Sequence, residues 1–141
     1  MKLDELEKKI GINFKNSDLL KEAVTHRSYL NEKPSWPVPH NERLEYLGDA
    51  VLELAVTEEL YNRFPEEDEG KLTALRAALV NYQLLAKAGG GIALEKSILL
   101  SRGEARDTGR AREVIIANAM EALIGALYLD GGLPAARAFV M

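Results

Sequence analysis

Asn41-Glu-Arg-Leu-Glu-Tyr-Leu-Gly-Asp-Ala-Val-Leu52 is the stretch on which the fold turns. Wound as a helix at about 100° per residue, it brings Glu42, Glu45 and Asp49 within roughly 60° of arc. Leu44, Leu47, Val51 and Ala55 fall on the opposite side, so one face is apolar and the other acidic. Like charges at this spacing repel by about 0.2–0.5 kcal/mol per pair, and only Arg43 interrupts the stripe. A divalent cation would turn that repulsion into coordination, because hard cations take carboxylate oxygens as ligands. A solvated acidic face is the alternative reading of the stripe alone. Gly48, inside the same helix, costs about 1 kcal/mol relative to alanine. The close approach of another backbone would offset that.

Outward from this segment the pattern is helical in both directions. Leu3, Leu6 and Ile10 mark a first short helix closed by Gly11. Asn16 or Ser17 caps a second, which carries Leu19, Leu20, Ala23 and Val24 and runs towards Tyr29. Pro34, Pro37 and Pro39 place a loop over residues 32–40. A long central helix is expected from about Asn41 to Phe64, with the Asn41 amide as its cap. Residues 65–70 form a turn, and Lys71 to Ala88 is one helix stopped by the glycines at 89–91. A short segment at 94–100 and an irregular stretch to Gly109 precede a last strong helix over about 110–129, stopped by Asp130-Gly-Gly132. Pro134 opens a further helical piece. No convincing period of two appears, so the expected class is all-α.

Composition narrows the function. A chain of 141 residues is one domain, with no room for a second. There is no cysteine, which excludes disulfides and thiolate chemistry and is compatible with a reducing compartment. The charged start does not resemble a signal peptide, and no apolar run approaches the roughly 20 residues of a membrane span. A cytoplasmic location without a membrane partner is therefore expected. The net charge of −4 argues against a nucleic-acid partner at face value. Bound metal ions would change that balance at an acidic face. His26 and His40 lack ligand spacing to another histidine or cysteine and read as structural. No Glu-x-x-His pair is present, so a di-iron carboxylate bundle is excluded.

Glu42-Arg-Leu-Glu45-Tyr-Leu-Gly-Asp49-Ala-Val-Leu52 closely resembles the nuclease signature of the ribonuclease III family of bacterial type, with Tyr46 where Phe is usual. Three more stretches resemble the family in the same order: Ala23–Tyr29, Asp68–Val80 and Asn118–Asp130. Together they cover nearly the whole chain. The resemblance implies a helical bundle that dimerises across the signature helix. It implies an endonuclease domain that cuts both strands of double-stranded RNA, leaving 5′-phosphate and 3′-hydroxyl ends and a short 3′ overhang, in ribosomal and messenger RNA processing. The implied cofactor is Mg²⁺, for which Mn²⁺ substitutes, with no small-molecule cofactor. The implied partners are double-stranded RNA and a second copy of the chain. The family usually carries a double-stranded-RNA-binding domain after this one. It is not within these 141 residues, and the tail Pro134–Met141 reads as a helix cut before any cap, so a piece of a longer protein is expected.

By the same resemblance Glu45, Asp49, Asn118 and Glu121 surround the metal, with Glu45, Asp49 and Glu121 catalytic. Asn118 stands where the family has Asp. A neutral carbonyl oxygen is a weaker ligand for a hard cation, so metal binding should weaken without being forbidden. Three accounts of Asn118 stay open: a natural variant that still cuts, a substitution that slows cleavage, and a lineage without activity. The last gives the alternative function, an inactive or weakened RNA-binding subunit on the same fold. Glu42 and Glu69 match acidic positions near the scissile strand, although Glu69 also reads as a solvated charge run with Glu66, Glu67 and Asp68. Lys71, Arg76, Arg106 and Arg110 are candidates for RNA backbone contacts. Tyr46 and Gly48 are expected at the dimer interface, with a core role for Tyr46 as the alternative.

Overall fold

A computed structural model describes residues 2–106 and 108–141. Every regular element among them is helical. They are α1 (Lys2–Ile10), α2 (Ser17–Ala23), α3 (Arg27–Glu32), α4 (Glu42–Arg63), α5 (Glu69–Leu79), α6 (Tyr82–Gly91), the 3₁₀ turn η1 (Leu94–Ser97), α7 (Arg102–Arg106) and α8 (Arg110–Val140). The all-α expectation holds.

The core forms where α4 crosses α8. Val51, Leu52, Val56 and Leu60 of α4 pack with Ile116, Met120, Leu123, Ile124 and Leu127 of α8. α6 lies along the other flank of α8, and α2 covers one end. By length and composition α8 could span a bilayer, which the sequence reading did not expect. Its apolar residues instead build this core: Ala122, Leu123 and Ala126 are wholly or almost wholly buried.

Some boundaries differ from the sequence expectation. The second predicted helix breaks at Val24, because Thr25 forms a parallel bridge to Leu99. The Leu99 amide donates to the Val24 carbonyl and the His26 amide to the Leu99 carbonyl, at 2.8 and 3.0 Å. The chain then restarts as α3, capped by the His26 ring. The predicted helix over 71–88 is two, since the Asn81 side chain accepts from the Leu84 amide and opens α6 afresh. The glycines at 89–91 lie in the last turn of α6, which ends at Gly91. Gly89 is needed within it, because a Cβ there would come within 2.6 Å of Ile116 Cγ2.

The last strong helix breaks where the sequence reading put its stop: Gly132 is non-helical (φ 80°, ψ 179°), and a further helical segment follows with Pro134 near its start, the two forming α8 across that kink. That segment turns back so that Arg137 bonds to Glu58 and Glu59 of α4. The stretch expected to be irregular holds α7, docked by the Ser101 amide on Ser28 Oγ (2.9 Å) and the Arg102 amide on Glu32 Oε2 (3.0 Å). The Pro-rich loop stands as read. Its ends converge on buried Thr25: the Trp36 indole donates to Thr25 Oγ1 at 3.2 Å and the Asn41 amide to the Thr25 carbonyl at 2.9 Å.

Candidate active site

The position of the acidic residues follows from a backbone contact. Gly48 on α4 and Gly125 on α8 meet at the crossing: a Cβ on Gly48 would lie 1.7 Å from the Glu121 carbonyl oxygen, and one on Gly125 would lie 2.4 Å from the Leu44 carbonyl oxygen. Only glycine permits main chains so close. The neighbour that Gly48 requires is thus α8 of the same chain, where the sequence reading looked to a second copy. Gly125 went unremarked in the sequence, although a glycine within Ala122-Leu-Ile-Gly-Ala126 carries the same signal as Gly48.

This crossing brings the two pairs of polar side chains together. Glu45 and Asp49 are four apart on α4, and Asn118 and Glu121 are three apart on α8, so each pair projects from one helix face. With Glu42 and Tyr46 they line a single open recess of about 510 Å³. Desolvation raises the Glu45 carboxyl above the usual range, helped by the charges of Glu42 and Asp49. Glu121 is pushed up to about 8, first by burial, then by a hydrogen bond with Asp49 and by the charges of Asp49, Glu45 and Glu53. Burial and neighbouring carboxylates both disfavour the charged form.

The donor set fits a hard divalent cation, since every candidate ligand offers oxygen. Among the described residues, no three carboxylate or imidazole groups already converge on one ion position. The raised Glu121 carboxyl would have to lose its proton before an ion bound. Glu45, Asp49, Glu121 and the Asn118 amide oxygen are the residues that would hold it.

Other candidates lie elsewhere. Glu69 and Lys71 are exposed in the first turn of α5. Glu69 and Arg76 line a separate groove with Thr57 and Tyr61, further along α4, where Arg76 donates to Thr57 Oγ1 at 2.9 Å. Arg106 ends α7 and Arg110 begins α8, both exposed. Tyr46 is 84% exposed, which removes the core alternative. Asn41 does not cap α4 with its side chain. It is buried, and its Nδ2 donates to the Ala23 carbonyl at 3.0 Å. His26 accepts from the Ser28 amide through Nδ1 (3.1 Å) and His40 from the Glu42 amide (3.4 Å), so both histidines serve helix starts.

Residues 16–141 match the Ribonuclease-III-like family model. The chain belongs to that family. Among similar proteins, Ribonuclease 3 of Geobacillus sp. strain WCH70 is 49% identical over 139 residues, which are 99% of this chain and 56% of the relative. Ribonuclease 3 of Nitratidesulfovibrio vulgaris is 48% identical, over 99% of this chain and 54% of its own. The chain therefore spans little more than half the length of these relatives. Among solved structures, the nuclease domain of ribonuclease III from Campylobacter jejuni superposes with a TM-score of 0.88 at 39% identity, covering 97% of this chain and 92% of that one. That structure is described as flexible in a region involved in dimer formation. Dicer from Pichia stipitis is similar at a TM-score of 0.63 and 32% identity, over 86% of this chain and 49% of that one.

Proposed function

We propose that this chain is the catalytic part of a cytoplasmic, divalent-metal-dependent endoribonuclease that hydrolyses both strands of double-stranded RNA. The products would be 5′-phosphate and 3′-hydroxyl ends with a short 3′ overhang, in the processing of ribosomal and messenger RNA. The observation that carries the reading is the convergence of Glu45, Asp49, Asn118 and Glu121 on one open recess, fixed by a glycine-to-glycine helix crossing. Mg²⁺, or Mn²⁺ in its place, would supply water activation and neutralise charge on the phosphoryl group. The protein's share is placement. Glu121, raised by burial and by its carboxylate neighbours, would give up its proton when a cation competes. Asn118 contributes a neutral oxygen, which leaves the ion more electrophilic but less tightly held.

A homodimer across α4 completes the proposal. Tyr46, Leu54 and Tyr61 share one side of that helix and are 84%, 53% and 71% exposed, an apolar stripe of the kind a second copy covers. The competing reading, a non-catalytic RNA-binding subunit, is favoured by one observation, the charge removed at Asn118. The test is incubation with a long RNA duplex at low salt, with Mg²⁺ or EDTA, beside Asn118→Asp. Cleavage by the native chain that EDTA abolishes supports the nuclease. Cleavage by Asn118→Asp alone supports the subunit, and absence of cleavage by both removes the nuclease reading for this chain.

A further inference from the structure

The recess carries the carboxyls of Glu42, Glu45, Asp49 and Glu121, yet the proposed substrate is a polyanion, so a cation from the protein is needed beside it. Among the described residues, the ion pair that reaches the recess is Arg27 with Glu42, Nη1 to Oε2 at 3.2 Å. Arg27 stands on a rigid root. It is the first residue of α3, whose start is closed by the His26 ring, and the next residue, buried Ser28, accepts the Ser101 amide through Oγ. The Arg27 side chain is 67% exposed, and its guanidinium has five N–H donors, of which the contact with Glu42 engages one group. Its remaining fork matches two phosphate oxygens.

We infer that Arg27 is a phosphate-contact residue of this site and that Glu42 is its positioning partner, not a cation ligand; the inference rests on the nuclease reading above. The recess then has two halves. Asp49, Asn118 and Glu121 form the cation side, with Glu45 between, and Glu42 with Arg27 forms the phosphate side. Glu42 is the recess carboxylate that pairs with a cation of the protein itself, and that contact marks the division. Glu42 keeps a long, flexible cation from folding back over Glu45 and aims it along the rim.

The test measures binding of a labelled RNA duplex of about 30 base pairs by anisotropy in EDTA across a range of KCl, and cleavage across a range of Mg²⁺. Arg27→Ala should weaken binding several-fold at low salt and reduce the slope of log K against log salt by about 1. Its Mg²⁺ half-saturation should not move. Arg27→Lys should restore the salt slope but not the cleavage rate, because charge returns without the fork. Glu42→Gln should leave Mg²⁺ half-saturation unchanged, whereas Glu45→Gln should raise it. Lys87→Ala, at an exposed position of α6, is the control for bulk charge. An unchanged slope in Arg27→Ala, or a Mg²⁺ requirement raised by Glu42→Gln as much as by Glu45→Gln, overturns the assignment while a cleaving native chain leaves the nuclease standing. A native chain that neither binds nor cuts the duplex overturns both.

Discussion

Alanine at position 48 would carry its methyl carbon to 1.7 Å from the Glu121 carbonyl oxygen and 3.0 Å from the Gly125 nitrogen. Both are main-chain atoms, so no side chain can swing aside. Reaching ordinary van der Waals separation requires α4 and α8 to part by about 1.7 Å at their crossing. Overpacking of a core costs about 1–3 kcal/mol in general. The upper end or beyond applies here, because the seam being opened buries Leu44, Val51, Leu52 and Ile124. Against this, alanine gains about 1 kcal/mol over glycine in a helix. The net expectation for Gly48→Ala is a loss of about 2–4 kcal/mol, a fall in Tm on the order of 10 °C for a domain of this size. Thermal unfolding by circular dichroism, at one fixed protein concentration, measures it. Gly90→Ala provides the opposite sign within the same chain. Its Cβ meets nothing within 4 Å in α6, so it should stabilise by about 0.5–1 kcal/mol. A Gly48→Ala protein that melts at or above the native temperature refutes the helix crossing as described.

Two further expectations concern pH. Glu121 has a folded value near 8, above its ordinary 4.5, so its contribution is present below about pH 4.5 and lost as pH rises through 8; Glu45 shifts in the same direction. Because the Glu121 side chain is only half-buried, the loss in EDTA should be screened to about 1–2 kcal/mol. Mg²⁺ should offset it by holding the deprotonated form, and Glu121→Gln should flatten it. A flat stability profile for the native chain in EDTA between pH 5 and 9 would contradict this. His26 is shifted the other way, lowered mainly by burial. Its contribution is present above pH 6.5 and lost as pH falls through the folded value, since a protonated Nδ1 cannot accept the Ser28 amide. His26→Ala should cost about 1 kcal/mol at neutral pH, and His26→Asn should keep the cap while losing the acid sensitivity, both read from denaturant midpoints.

Much of the architecture was legible in the chain because its signals are local. The three prolines at 34, 37 and 39 and the acidic and apolar faces of 42–55 placed α4 within a residue at each end. Asn118 and Glu121 were legible as a pair through the family resemblance of Asn118–Asp130, and the structure brings them to the same recess as Glu45 and Asp49. What was not legible depends on distant segments. The break after Val24 exists because Leu99 pairs with Thr25, and nothing near Val24 announces it. The break at Asn81 is invisible to apolar periodicity, which runs on from Leu75 to Leu85, although Asn81 is a plain cap residue in hindsight. Gly48 showed that a backbone must come close, but the sequence has no means of naming Gly125 as the place. Arg27 was missed for the same reason: its partner Glu42 lies beyond the proline loop.

Thr25 ties together segments remote in sequence. Its neighbours Val24 and His26 bond to Leu99, its hydroxyl takes the Trp36 indole and donates to the Lys21 carbonyl, and its own carbonyl takes the Asn41 amide. The bond to Lys21 is local, those to Trp36 and Asn41 need the proline loop closed, and those to Leu99 need the long excursion as well, so completion of the knot is a late and cooperative event in folding. It should also open as one unit. The amides of His26, Asn41 and Leu99 would then exchange their hydrogens with solvent at a common free energy, and the first turn of α4 would loosen only when the remote segment around Leu99 does.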